Sequence, residues 1–175
     1  MDDALRYPIG RFTPPAVIAA EQIAQWTSDL EQAPAAMRAA VAGLAEGQLD
    51  TPYRPGGWTV RQVVHHLADS NLILFSRFKF ALTADEPLIQ PFDEEKWAEL
   101  AEARTGAVEP SLLLLEGLHA RWTALLRALS ADDLARAFRH PVSGAWTLAR
   151  ATGQYAWHCR HHTAQITALR RKMGW

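Results

Sequence analysis

The sequence predicts an all-α protein, a four-helix bundle that occupies residues 1–175 as a single domain. Apolar side chains recur at every third or fourth position in four long segments, which is the pattern of a helix with one buried face. Almost no segment shows the strict alternation of apolar and polar residues that is typical of a half-buried strand. Amphipathic helices that must bury one face against each other favour a bundle.

The first two helices are recognised from their apolar stripes and end signals. The stripe of the first helix consists of Ile23, Trp26, Leu30, Ala33, Met37, Val41 and Leu44. Pro34 either kinks this helix or restarts it as a first-turn residue. The second helix is expected to begin near Val60, because Thr59 and Gln62 form a capping box. It is expected to end at about Leu82.

The third and fourth helices follow a long irregular connection. Pro87 and Pro91 keep this connection extended or turned, and a short helix is expected around Trp97. Such connections often carry function, although a plain crossover between helices is equally compatible with the sequence. The predicted core stripe of the third helix, which begins at Pro110, is Leu114, Leu118, Trp122, Leu125 and Leu129. Thr147 is expected to cap the fourth helix.

Composition and charge exclude several classes of partner. The chain has 18 basic and 19 acidic residues, and it has no basic cluster with interleaved aromatic residues, so nothing indicates nucleic-acid binding. This charge balance favours a small neutral or anionic substrate over a nucleic acid. The first residues are acidic where a signal peptide is basic, and no apolar run is long enough to span a membrane, which predicts a cytoplasmic protein. The single cysteine excludes an internal disulfide.

Three histidines are the most informative residues for function. His158 and His162 are four residues apart in the core stripe of the fourth helix, and His66 lies at the edge of the buried face of the second. An unpartnered imidazole in an apolar core is costly, so each needs either a hydrogen-bond partner or a metal. His65 and His161 are sequence neighbours that could replace the chosen residues after a small helix rotation. At about 100° per residue, His162 lies nearer than His161 to the direction of His158.

Other polar residues are weaker candidates. Asp69, one turn beyond His66, is either a hydrogen-bond partner of a metal ligand, a general base or a solvated carboxylate. Cys159 is expected to be a buried small residue that points away from the metal face, with a redox or ligand role as the alternative. Three residues could grip an anionic substrate, but a structural role suits each of them better: Arg54, Tyr155 and Arg160. Two histidines without a paired partner are expected to be structural or solvated: His119 and His140.

Three neutral imidazoles would leave a divalent metal its full charge and at least one open coordination position. A water bound there can have its pKa lowered to about 7, or a thiol can bind and lose its proton. Zinc is the default metal for an imidazole site, and nickel, iron and manganese also accept imidazole nitrogens.

Several motifs occur in an order and spacing typical of a known family: YPIG, YRPGGWTVRQVVHHLADS, RFK, HARWTALLRALS, WHCRHHTAQI and MGW. With these motifs the chain resembles the YfiT-like branch of the DinB superfamily over nearly its whole length. The resemblance implies an up-down-down-up four-helix bundle, often dimeric, in which three histidines hold a divalent metal. It assigns the ligands to His66, His158 and His162. Cys159 and Arg160 depart from the family's pattern, which changes the surroundings of the ligands without removing a ligand.

Three functions are compatible with these features. The first is a metal-dependent hydrolase acting on an amide, ester or related bond. The second, which the resemblance suggests, is a thiol S-transferase that joins bacillithiol, mycothiol or glutathione to electrophiles. The third is a non-catalytic metal-stabilised binding or stress protein. The sequence does not rank the first two.

Overall fold

The computed structural model describes residues 2–175, and four long helices dominate it. These are α2 (Ala20–Val41), α4 (Val60–Thr83), α7 (Glu109–Ala128) and α9 (Leu148–Met173). The short helices are α1 (Asp2–Arg6), α3 (Glu46–Leu49), α5 (Glu94–Ala98), α6 (Ala101–Thr105) and α8 (Ala131–Ala135). The predicted four-helix architecture is confirmed. No helix within residues 2–175 combines the length and the apolar character that crossing a membrane requires.

Contacts near the helix ends define the directions of α2, α7 and α9. Arg38, near the end of α2, pairs with Glu109 at the start of α7, with 2.9 Å between Nη1 and Oε2. Arg170, near the end of α9, donates from Nη1 to the carbonyl of Ala40 at 3.0 Å. Because the end of α2 meets the start of α7 and the end of α9, α2 is antiparallel to α7 and parallel to α9.

The direction of α4 follows in the same way. Its early residue His65 contacts Ser111 at the start of α7, with 2.8 Å between Nδ1 and Oγ. Its late residue Phe78 lies against Tyr155 near the start of α9, with ring centroids 6.1 Å apart. Helix α4 is therefore parallel to α7 and antiparallel to α9. In chain order, the four long helices therefore run up, down, down and up, as the resemblance implied.

The predicted helix signals agree with the structure at α2 and α4. Helix α2 continues through Pro34, and most of its predicted apolar stripe is buried. At the start of α4, the Thr59 hydroxyl accepts from the Gln62 amide nitrogen, and the Gln62 side chain accepts from the Thr59 amide at 2.9 Å. This reciprocal capping box satisfies two of the orphan donors at the helix start.

The core register predicted for α7 was wrong at Leu114. Leu114 is exposed, and the buried stripe consists of Leu112, Leu115, Leu118, Trp122 and Leu126. The stripe begins within four consecutive leucines, 112–115, so apolar periodicity alone does not define which of them face inward. Leu118 and Trp122 are buried as predicted, and Leu125 and Leu129 are half-buried against the core.

A short β-hairpin between α8 and α9 was not predicted. Strand β1 (Ala137–His140) pairs with β2 (Gly144–Thr147) in an antiparallel register from Ala137↔Thr147 to His140↔Gly144. Four-residue strands are too short for alternation to stand out against the loop residues around them. Backbone hydrogen bonds also join the connection after α4 to β1, because the Ile89 amide donates to the Arg139 carbonyl at 2.9 Å. The hairpin therefore anchors this long connection.

Candidate metal centre

The antiparallel contact of α4 and α9 brings three histidines together. His66 comes from α4, and His158 and His162 come from successive turns of α9. The Nε2 atom of His158 lies 3.0 Å from Nε2 of His162 and 3.4 Å from Nε2 of His66. One nitrogen from each residue lies within 4.8 Å of the others. The three residues selected from the sequence thus converge through their ring nitrogens.

The spacing of these nitrogens fits a small divalent cation. Tetrahedral zinc binds histidine nitrogen at about 2.0–2.1 Å, which separates neighbouring ligand atoms by about 3.3 Å. The separations around His158, 3.0 and 3.4 Å, are close to this value.

The imidazoles are held in the uncharged form that binds metals. Burial, reinforced by the neighbouring histidines, lowers the pKa of His66, His158 and His162 well below the usual histidine value. Neutral imidazole offers a lone pair on one of its nitrogens, whereas the protonated ring offers none. No proton has to be displaced from these rings at neutral pH for a metal to bind.

Gln165 determines which nitrogen of His162 is free. Its Nε2 donates to the Arg6 carbonyl at 3.0 Å, and a carbonyl can only accept, so the orientation of the amide is defined. The Gln165 Oε1 atom must then accept from Nδ1–H of His162, at 2.9 Å. The Nε2 atom of His162 is left unprotonated and faces His158. Sequence reasoning missed Gln165, although its position three residues after His162 places it on the same helix face.

The two alternative histidines have other hydrogen-bond partners, although His161 also lines the cavity described below. His65 contacts the Ser111 hydroxyl and the Gly106 carbonyl, on the side of α4 that faces α7. His161 stacks on Trp157, with centroids 4.6 Å apart, and its Nε2 accepts from Gln165. Neither belongs to the converging group, so the predicted register is the one that the structure adopts.

A cavity of about 380 Å³ opens beside the three histidines. Aromatic side chains form much of its wall: Tyr7, Tyr53, Trp58, Phe92, Tyr155 and Trp157. Charged residues of both signs also line it: Arg6, Arg54, Glu94 and Glu95. The Trp58 ring lies 4.5 Å from that of His66, and its Nε1 donates to Glu95 at 3.1 Å. The cavity has the size and the mixed lining of a small-molecule site.

Arg54 and Tyr155, named from the sequence, line this cavity, whereas Asp69 and Arg160 do not. Asp69 is half-buried beside Glu102 and His65, where burial raises its pKa, and it is not among the cavity-lining residues. Its role as a base or as a partner of a ligand stays a prediction. Arg160 pairs with Asp29 at 3.1 Å.

The remaining three residues match their predicted structural roles. Cys159 is buried, and its Sγ lies 3.5 Å from Oδ1 of Asn71; burial raises the pKa of this thiol to about 12. His119 is buried, with its Nδ1 2.6 Å from the Leu30 carbonyl. The Nδ1 atom of His140 accepts from the backbone of the hairpin turn.

Comparisons with known proteins agree with the geometry. Residues 29–166 match the model of the DinB superfamily. A protein of Geobacillus thermodenitrificans, named “Putative metal-dependent hydrolase”, is 51% identical over 174 residues, covering 99% of this chain and 98% of its own. A Bacillus cereus protein of the same name is 52% identical over 171 residues, 98% of each chain.

A solved structure has the same fold. It is YfiT from Bacillus subtilis, described as “a probable metal-dependent hydrolase with an unusual four-helix bundle topology”. The two folds superpose with a TM-score of 0.96 at 50% sequence identity, over 98% of this chain and 99% of that one.

Proposed function

The chain belongs to the DinB superfamily, and from that premise we propose that it is a divalent-metal-dependent hydrolase with His66, His158 and His162 as the metal ligands. The observation that carries this proposal is the convergence of three uncharged imidazoles, through their Nε2 atoms, in the wall of a cavity. The names of the relatives point to the same class of enzyme.

A metal would resolve an unfavourable feature of the cluster. The Nε2 atom of His158 lies 3.0 Å from the unprotonated Nε2 of His162 and 3.4 Å from Nε2 of His66, and a single N–H at that position cannot fully satisfy both neighbours; a buried polar atom without a full partner is costly. When bound, a divalent ion would polarise a substrate oxygen and lower the pKa of a coordinated water. Zinc is the metal we propose, because three imidazoles with one open position are typical of catalytic zinc.

The protein's own residues would orient and enclose the substrate. Gln165 holds His162 in the tautomer that presents Nε2, and Trp58 covers one flank of His66 and limits access of water. The aromatic wall favours a small organic substrate, and Arg54 with Glu95 offers groups of opposite charge for its polar ends.

The proposed ligand set is tested by elemental analysis of untagged protein purified without added metal. We expect about one equivalent of a divalent metal in the wild type and almost none in a folded His158→Ala, His162→Ala double variant. His140→Ala is the matched control, because this histidine lies in the hairpin away from the cavity, and it should retain the metal. Equally low metal in all three proteins after reconstitution would contradict the proposal.

The reaction class is tested on the metal-loaded protein. Hydrolysis of a panel of small esters and amides by the wild type, but not by the double variant, supports the proposed activity. Conjugation of glutathione or bacillithiol to a model electrophile, without hydrolysis, would assign the protein to the thiol S-transferases instead. Metal-dependent stability with neither activity would favour a non-catalytic binding protein.

Assembly and location complete the proposal. We propose a homodimer, because the outer face of α4 exposes Leu72 and Phe80 close to the exposed Trp97. Sedimentation analysis tests this, and a concentration-independent monomer would exclude the homodimer.

A cytoplasmic location is proposed from the single cysteine, and fractionation of cells tests it.

A further inference from the structure

Arg77 is a buried cation without an acidic partner among residues 2–175. Its side chain belongs to α4, and the residue is only 7% exposed. Its Nη2 donates to the Gln90 carbonyl at 3.2 Å, and its Nε has no hydrogen-bond partner within the described part of the chain. A buried charge is costly unless it is paired or hydrogen-bonded. The incomplete pairing of this guanidinium therefore opposes folding, as is common for groups that serve a functional site.

The charge of Arg77 acts on the hydroxyl of Tyr155. Burial raises the pKa of Tyr155 to about 12, while the charge of Arg77 and a hydrogen bond from it act in the opposite direction. The phenol therefore keeps its proton at neutral pH, and the neighbouring cation polarises its O–H bond. His140 also senses this charge, because Arg77 contributes to lowering the pKa of that imidazole.

Tyr155 belongs to the wall of the histidine cavity. It lies one turn before His158 on α9 and lines the cavity with the three histidines. Its ring is wedged between Phe78, at 6.1 Å, and Trp122, at 5.7 Å between centroids. These ring contacts leave the side chain little freedom before any substrate binds.

We propose that Tyr155 is a catalytic hydrogen-bond donor of the metal cavity and that Arg77 is a positioning residue that acts through it. The proposal deepens the proposed hydrolase function and rests on it. Hydrolysis of an ester or amide builds negative charge on the carbonyl oxygen, and a fixed donor aimed at that oxygen stabilises the transition state. The contact is a hydrogen bond only: Tyr155 keeps its proton, and no covalent bond of the phenol forms or breaks.

A purely structural role makes a different prediction. If the Tyr155 ring only fills the core, Tyr155→Phe should be silent, because the phenylalanine ring keeps the contacts with Phe78 and Trp122. A donor role predicts weaker binding of an oxygen ligand in the cavity without any loss of metal. Substitution of Arg77 should then have an effect only when the hydroxyl is present.

The test uses cobalt-loaded protein and acetohydroxamate, a probe whose oxygens bind a metal and accept hydrogen bonds. Its affinity is measured from the change in the visible absorption of cobalt. We expect Tyr155→Phe to bind the probe about tenfold more weakly than the wild type, at equal cobalt content and equal melting temperature. Arg77→Met should weaken binding less, and the double variant should match Tyr155→Phe.

A matched control removes a hydroxyl that does not line the cavity. Thr152 is on the same helix, is buried, and donates to the Leu148 carbonyl at 2.8 Å. Thr152→Val should leave the affinity for acetohydroxamate unchanged. If Arg77→Met does not fold, Arg77→Gln, which removes the charge but keeps hydrogen-bonding groups, replaces it.

The outcomes separate this inference from the proposed function. Unchanged affinity for acetohydroxamate in Tyr155→Phe would overturn the inference, whatever the wild type hydrolyses. An additional loss in the double variant beyond that of Tyr155→Phe would overturn the role of Arg77. Absence of cobalt binding in the wild type would instead contradict the metal site on which both proposals rest.

Discussion

Gln165 is the residue on which the orientation of His162 depends. Its Oε1 accepts from Nδ1–H of His162 at 2.9 Å, and no other group in the described chain is hydrogen-bonded to that nitrogen. Outer hydrogen-bond partners of this kind commonly change metal affinity by about 10–100-fold. We therefore expect Gln165→Leu to weaken zinc binding by about tenfold or more, measured by competition with a chromophoric chelator.

A second substitution at the same position separates the two functions of the amide. Gln165→Glu keeps an oxygen acceptor for His162 but loses the N–H donors to the Arg6 carbonyl and to His161. It should retain more zinc affinity than Gln165→Leu. Equal affinities in the wild type and the leucine variant would show that His162 is oriented by packing alone.

The ligand histidines and Gln165 differ in how far the sequence reveals them. The pair His158 and His162 follows from helix geometry, because 100° per residue places them on one face. Gln165 satisfies the same spacing, but its significance depends on the Arg6 carbonyl, 159 positions away. A contact between the two ends of the chain is not encoded in local periodicity, so the structure was needed to recognise it.

At the scale of elements, Gly153 of α9 packs closely against Trp26 of α2. A Cβ atom built there would lie 2.7 Å from Cη2 of Trp26 and 2.9 Å from Cζ of Phe12. Since the Trp26 ring is itself buried, it has little room to withdraw. Gly153→Ala is therefore expected to lower the free energy of unfolding by about 1–3 kcal/mol in a urea titration, in spite of the better helix propensity of alanine.

Gly117 provides the matched control for this helix contact. It lies inside α7, and a Cβ atom there would meet nothing within 4 Å. Gly117→Ala should raise the free energy of unfolding by about 0.5–1 kcal/mol through reduced backbone entropy. Stabilisation of similar size in both variants would contradict a close α2–α9 packing at Gly153.

The elements also differ in how well their sequence signals define them. The capping box at Thr59 and Gln62 locates the start of α4 to the residue, because both hydrogen bonds are local. The β1–β2 hairpin depends on contacts outside itself, such as the backbone bonds between Ile89 and Arg139. The inward direction of α7 depends on which leucines meet α2 and α4. Tertiary packing decides both features.

At the scale of the whole molecule, the histidine cluster joins two helices that are distant in sequence. Helices α4 and α9 contact each other through His66, His158 and His162 at one level and through Phe78 and Tyr155 at another. The apolar contact stabilises the bundle in any state. The imidazole contact favours folding only when its lone pairs have a partner, because uncompensated polar burial opposes folding.

Metal binding should consequently stabilise the whole bundle. A ligand that binds only the folded protein at about 100 times its Kd adds about 2.7 kcal/mol to the free energy of unfolding. For a domain of this length, that corresponds to a rise in Tm of roughly 5–10 °C. Differential scanning calorimetry of metal-free protein, before and after zinc is added, measures the shift.

The double variant His158→Ala, His162→Ala supplies the control for this measurement, because it removes two of the three converging nitrogens. Zinc should leave its Tm unchanged, and a chelator should return the wild type to its metal-free Tm. An equal rise in both proteins would place the stabilising zinc elsewhere. No rise in the wild type at saturating zinc would mean that the α4–α9 contact is complete without a metal, and that these histidines are polar residues of the core.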